Sequence, residues 1–125
     1  MSAMNVLIVE SNPDLGQLWK AHVERLCQSN VIVAHGQEAA IHEIMRTDWD
    51  IIVLDLVIAE GSAMAVSDYA SYRQPNAKVI FVTNTTFFSD GSIFNHCANA
   101  CAYLPTTTEP EDLATMVAHY GGADV

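Results

Sequence analysis

Two periods of apolar spacing alternate along this chain. Residues 5–9 are a short run rich in β-branched apolar side chains, Val6-Leu7-Ile8-Val9 after Asn5, as a strand requires. Ser11-Asn12-Pro13-Asp14 then reads as a helix start. Ser11 or Asn12 can cap, Pro13 suits the first turn, and Asp14 suits the positive end of the dipole. Leu15, Leu18, His22, Val23 and Leu26 recur at helical spacing, which carries the first helix to about Cys27. Residues 31–34 predict a second strand. Gly36 breaks the chain, and Ala39, Ala40, Ile41, Ile44 and Met45 predict a second helix. Residues 50–55 form a third strand, apolar on both faces between Asp50 and Asp55, as expected of a central parallel strand. Gly61 and Ser62 lie in a loop. Residues 64–72 predict a third helix, ended by Gln74-Pro75-Asn76. Residues 78–83 predict a fourth strand, 90–98 a weaker fourth helix and 101–104 a short fifth strand. Pro110-Glu111-Asp112 opens a last helix carrying Leu113, Met116, Val117 and Tyr120, and Gly121-Gly122 stop it.

Strand and helix thus alternate five times, with no linker or repeat between them. Such a chain is expected to build one α/β domain over residues 1–125, with a parallel sheet, right-handed crossovers and helices on both faces. For five strands the expected arrangement is the flavodoxin-like (βα)5 three-layer sandwich, sheet order 2-1-3-4-5. No output domain is expected beyond it. In such sheets the site lies beyond the carboxyl ends of the strands, where the order reverses.

Composition narrows the class. A chain of 125 residues buries roughly two-thirds of its unfolded surface, enough for a hydrophobic core. Half of the residues are apolar and 16% are charged, the balance of a folded domain. The longest apolar run is interrupted at Asp55 and falls far short of the ~18–20 residues that span a bilayer. No secretory signal opens the chain, and a cytoplasmic location is expected. The formal net charge is −10, and Lys20, Arg25, Arg46, Arg73 and Lys78 are scattered. Binding to nucleic acid or to an anionic membrane needs clustered cations, so neither is expected as a partner. Cys27, Cys97 and Cys101 read as free thiols. His96, Cys97 and Cys101 form too loose a set for a structural metal.

The chemistry concentrates at the expected carboxyl rim. The first strand ends in Glu10-Ser11, the third in Asp55, the fourth in Thr83, and Thr106-Thr107-Thr108 follow the fifth. A carboxylate there can attack a phosphoryl group to give an acyl phosphate. Such transfer needs a cation, commonly Mg²⁺ held by one or two carboxylates. A hydroxyl such as that of Thr83 can bond the new phosphoryl oxygens. The competing reading makes Asp55 a strand-terminal cap of the following loop, Glu10 a solvated strand end and Thr83 an ordinary strand residue.

In order, five segments resemble the response-regulator receiver domain of two-component signalling. Val6-Leu7-Ile8-Val9-Glu10-Ser11-Asn12-Pro13 is similar to its opening. Asp50-Ile51-Ile52-Val53-Leu54-Asp55-Leu56 is similar to its phosphoacceptor strand, and Val79-Ile80-Phe81-Val82-Thr83 to its switch-threonine strand. Ala102-Tyr103-Leu104-Pro105 and Glu109-Pro110-Glu111-Asp112-Leu113 are similar to its fifth strand and last helix. The resemblance implies Asp55 as phosphoacceptor, with Mg²⁺ held by Glu10, Asp55 and the Val57 carbonyl. It also implies Thr83 as switch hydroxyl and Tyr103 as the aromatic that turns with phosphorylation. The chain departs from the family at the second acid after the first strand, here Ser11. It departs again at the Lys-Pro after the fifth strand, here Thr106 and Thr107, and Thr106 retains only a neutral hydroxyl.

The resemblance implies a stand-alone, non-enzymatic phosphorelay module. Its partners would be a histidine kinase or phosphotransfer protein and a downstream protein target. The fourth helix, fifth strand and fifth helix, with Phe87, Phe88, Ile93 and Phe94, form the candidate surface for a target or a homodimer. An alternative is a pseudo-receiver that binds partners without Asp55 phosphorylation. A flavin carrier or small-molecule enzyme on the same fold is disfavoured, because no Gly-rich phosphate cradle follows the first or third strand.

Overall fold

The computed structural model describes residues 3–83 and 100–121. The chain runs β1 (Met4–Val9), α1 (Pro13–Leu26), β2 (Ser29–Ala34), α2 (Gln37–Arg46), β3 (Ile51–Asp55), α3 (Ala63–Arg73), β4 (Lys78–Thr83), β5 (Ala100–Pro105) and α4 (Pro110–Tyr120). All strand pairs are parallel and the sheet order is β2-β1-β3-β4-β5, the flavodoxin-like arrangement. The helix expected over 90–98 lies outside the described residues, as do Phe87, Phe88, Ile93 and Phe94. The last helix of the sequence reading is α4.

Strand alternation sorts the core into two layers. Leu7, Val9, Ile52, Leu54, Val79 and Phe81 face Ala40 and Ile44 of α2 and Val66 and Ala70 of α3. Val6, Ile8, Ile51, Val53, Ile80 and Val82 face Trp19 and Val23 of α1 and Leu113 and Val117 of α4. Every residue of β3 is buried, because helices cover both of its faces.

The helix starts follow their local chemistry. The Asn12 side chain accepts from the Asp14 and Leu15 amides and is the cap of α1. Ser62 caps α3 by accepting from the Ala65 amide. Gly16, in the first turns of α1, allows close approach to the sheet. A Cβ there would sit 2.9 Å from Val33 Cγ1 and 3.7 Å from Glu10 Cβ.

The opposite rim is closed by polar staples. Asp50, read as part of the third strand, precedes it, and its carboxylate accepts from the Asn5 amide at 2.8 Å. Gln74 Nε2 donates to the Ile44 and Thr47 carbonyls, and Gln74 Oε1 accepts from the Trp49 amide.

Candidate functional site

The register fixes which side chains meet at the carboxyl rim. Val9 pairs with Leu54, Asp55 with Val82, and Thr83 with Pro105. Glu10, one residue beyond β1, therefore comes level with Asp55, and Thr83 sits one step beyond the partner of Asp55. Alternation sends Glu10 and Asp55 toward the α1 layer. Thr83 and Tyr103 share the other layer: Tyr103 pairs with Phe81, two residues before Thr83, and packs against the cluster around it.

Glu10 is not a solvated strand end. It is 3% exposed, Asp55 7% and Thr83 1%. Glu10 Oε1 accepts from the Asn12 amide at 3.0 Å. Glu10 Oε2 is buried and has no hydrogen-bond partner. Burial pushes the Glu10 carboxyl up to about 8. A hydrogen bond that Glu10 can give Asp55 only when protonated, and the Asp55 charge, add to the rise, while the Asn12 and Ser11 amides oppose it. Two buried carboxyls thus meet with one oxygen receiving no donor, an arrangement that either a proton or a cation relieves.

Asp55 Oδ1 accepts from the Val57 amide at 2.8 Å, so the acceptor side chain is tied to the loop that follows it. This is the local cap of the competing sequence reading, and it coexists with the pairing to Glu10. The Leu56 amide donates to the Val82 carbonyl at 2.8 Å and continues the sheet beyond Asp55. Val57 is 62% exposed at the mouth. Thr106 is half-buried, and its amide donates to the Thr83 carbonyl at 3.0 Å, which places residue 106 beside Thr83. Of the candidate metal ligands, the fold brings Glu10 and Asp55 together with Val57 two residues on. No group of three or more His, Cys, Asp or Glu side chains suited to a metal occurs among the described residues.

Two features were not evident in the sequence. The first is the use of Ser11. Its hydroxyl donates to the His35 carbonyl at 3.0 Å and accepts from the Ala59 amide at 2.7 Å. His35 Nδ1 in turn donates to the Glu10 carbonyl at 3.1 Å. The loops after β1, β2 and β3 are joined through one side chain.

The second is where the cations lie. All five Lys and Arg residues fall within the described residues. Arg25, Arg46 and Arg73 occupy the last turns of α1, α2 and α3. Lys78 opens β4, and Lys20 lies within α1. Helix ends and strand starts share the rim opposite Asp55, so Arg25, Arg46, Arg73 and Lys78 lie away from the pocket.

No protein-family model matches the chain, and no curated protein matches it. Solved structures do. A CheY-like response regulator receiver domain protein from Methanospirillum hungatei superposes with a TM-score of 0.86 at 19% identity, covering 97% of this chain and 95% of that one. A response regulator from Burkholderia pseudomallei, solved with a phosphorylated aspartic acid, a calcium ion and citrate, gives 0.78 at 18% identity, covering 93% and 71%. The response regulator TrrA from Thermotoga maritima, in complex with Mg²⁺-BeF, gives 0.79 at 18% identity, covering 94% and 98%. The protein has the fold of the CheY-like receiver domains. At these identities the likeness speaks for the fold alone. Among the described residues no helix is long and apolar enough to cross a membrane.

Proposed function

We propose that the protein is a response-regulator receiver module in which Asp55 accepts a phosphoryl group and the resulting change passes to a protein target. The observation that carries this reading is the buried Glu10–Asp55 pair at the carboxyl rim, with Glu10 Oε2 unpartnered. An orphaned carboxylate oxygen beside a second carboxylate fits a hard divalent cation. Glu10, Asp55 and the Val57 carbonyl are the residues that would hold Mg²⁺, which when bound offsets charge on the phosphoryl oxygens. An Asp55 oxygen attacks phosphorus, the bond from phosphorus to the donor breaks, and the donor leaves with that electron pair. In this reading the hydroxyls of Thr83 and Thr106 bond the new oxygens. Thr83 shares a face with Tyr103, which supports a route from the pocket to the surface of β5. The phosphoryl donor would be a histidine kinase or phosphotransfer protein, and the β5–α4 face a contact for a target or a second copy.

A second reading rests on two observations. Ser11 is already engaged with His35 and Ala59, and four of the five Lys and Arg residues lie at helix ends or a strand start on the opposite rim. Both suit a pseudo-receiver that holds one conformation and works by protein contacts alone. Intact-mass measurement after incubation with acetyl phosphate and Mg²⁺, or with a cognate kinase, separates the two. The phosphoacceptor reading expects one added phosphoryl group, absent from Asp55→Asn. No added mass under either condition leaves the pseudo-receiver.

A further inference from the structure

Ser11 stands where a second pocket acid is expected from the family resemblance, and the loss of a metal ligand is only half of its effect. A carboxylate cannot donate a hydrogen bond, whereas the Ser11 hydroxyl donates to the His35 carbonyl and accepts from the Ala59 amide. Ala59 belongs to the loop that leaves Asp55. That loop also supplies the Val57 amide, which donates to Asp55 Oδ1. Further along, it is tied to α2: the Glu60 carbonyl accepts from the Gln37 amide at 3.1 Å, and the Ser62 amide donates to Gln37 Oε1 at 2.7 Å. Ser11 provides the matching tie on the β1 side, between Val57 and Glu60.

We propose that Ser11 is a positioning residue for the Asp55 pocket. Its hydroxyl pins the loop over residues 56–62 without help from a metal, and through the Val57 amide it fixes the orientation of the Asp55 carboxyl. His35 completes the pin, because its ring holds the Glu10 carbonyl while its own carbonyl receives the Ser11 proton. A pocket with one acid fewer thereby keeps its shape by a neutral bond. The pinning is independent of phosphorylation, but its consequence for Asp55 chemistry rests on the receiver reading above.

The test uses the whole chain in metal-free buffer, comparing wild type with Ser11→Ala and Ser11→Thr by amide hydrogen exchange. Ser11→Ala is expected to speed exchange of the Ala59 amide about tenfold or more and to raise that of Val57, with the β3 and β4 amides unchanged. Ser11→Thr, which keeps the hydroxyl, is expected to restore both. Unchanged Ala59 exchange in Ser11→Ala overturns the proposal. So does a uniform increase across the sheet, which marks a merely structural residue. A second arm measures the rate at which acetyl phosphate and Mg²⁺ modify Asp55. Ser11→Ala is expected to be about tenfold slower than wild type and Ser11→Thr close to it. Equal rates in Ser11→Ala and wild type overturn the link to Asp55. If wild type itself takes up no phosphoryl group, the receiver reading fails, and the exchange data alone decide the pin.

Discussion

Glu10 carries a cost at neutral pH that its surroundings only partly offset. In the folded, metal-free protein its carboxyl is pushed from 4.5 to about 8, with burial the largest cause and Asp55 adding to it. The folded state therefore holds this proton more tightly than the unfolded chain does. Below about 4.5 both states are protonated and there is no penalty. As pH rises through the window from 4.5 to 8 the unfolded chain releases the proton first and stability falls, and above 8 the penalty is complete. Glu10→Gln removes the titration and keeps a donor for Asp55. It should gain on wild type steadily across that window in urea unfolding with a chelator present, by up to a few kcal/mol at the alkaline end. A constant difference between the two proteins from pH 5 to 8 would remove Glu10 as the source.

The loop joining β3 to α3 shows the same dependence on distant partners at the scale of an element. Gly61 sits at φ +83°, in the left-handed region, where a Cβ would also collide with the Gln37 side chain that caps the Ser62 amide. Gly61→Ala should therefore destabilise the protein by about 1–3 kcal/mol, read as a lower urea midpoint at unchanged slope. A midpoint equal to wild type would mean that the loop relaxes at no cost. Much of the fold was legible in the sequence, because the strands carry β-branched runs and α1 opens on Asn12-Pro13-Asp14. The errors fall where hydrophobic patterning has nothing to report. β2 begins at Ser29 and not at 31, since polar Ser29 and Asn30 pair with Met4 and Asn5 at the sheet edge. β5 extends one residue beyond the expected 101–104 at each end, to Ala100 and Pro105. The rim residues could be named from strand ends, but the burial of Glu10 and the bonds of Ser11 could not. Those bonds span 24 and 48 residues, and no local pattern encodes them.

Across the whole molecule, charge follows the polarity of the parallel fold. Arg25, Arg46 and Arg73 sit where they complement the negative ends of the helix dipoles, and acids such as Asp14, Glu111 and Asp112 occupy first turns at the pocket side. This arrangement stabilises each helix and keeps these arginines away from the rim that carries Asp55. A phosphoryl group arriving at Asp55 would meet two carboxyls, two hydroxyls and whatever metal the site holds. Residue 106 is where a cation would be added, because its amide is already hydrogen-bonded to the Thr83 carbonyl beside the pocket. A charge-assisted bond exceeds a neutral one by about 1 kcal/mol or somewhat more. Thr106→Lys should accordingly raise the rate of Asp55 modification by acetyl phosphate by about tenfold at fixed Mg²⁺, with Thr106→Met as a control for side-chain bulk. The gain should shrink as salt rises, since residue 106 is only half-buried and its charge is screened. Equal rates for the Lys and Met variants would show that position 106 does not reach the phosphoryl group, and the missing cation would then have to come from the partner that delivers it.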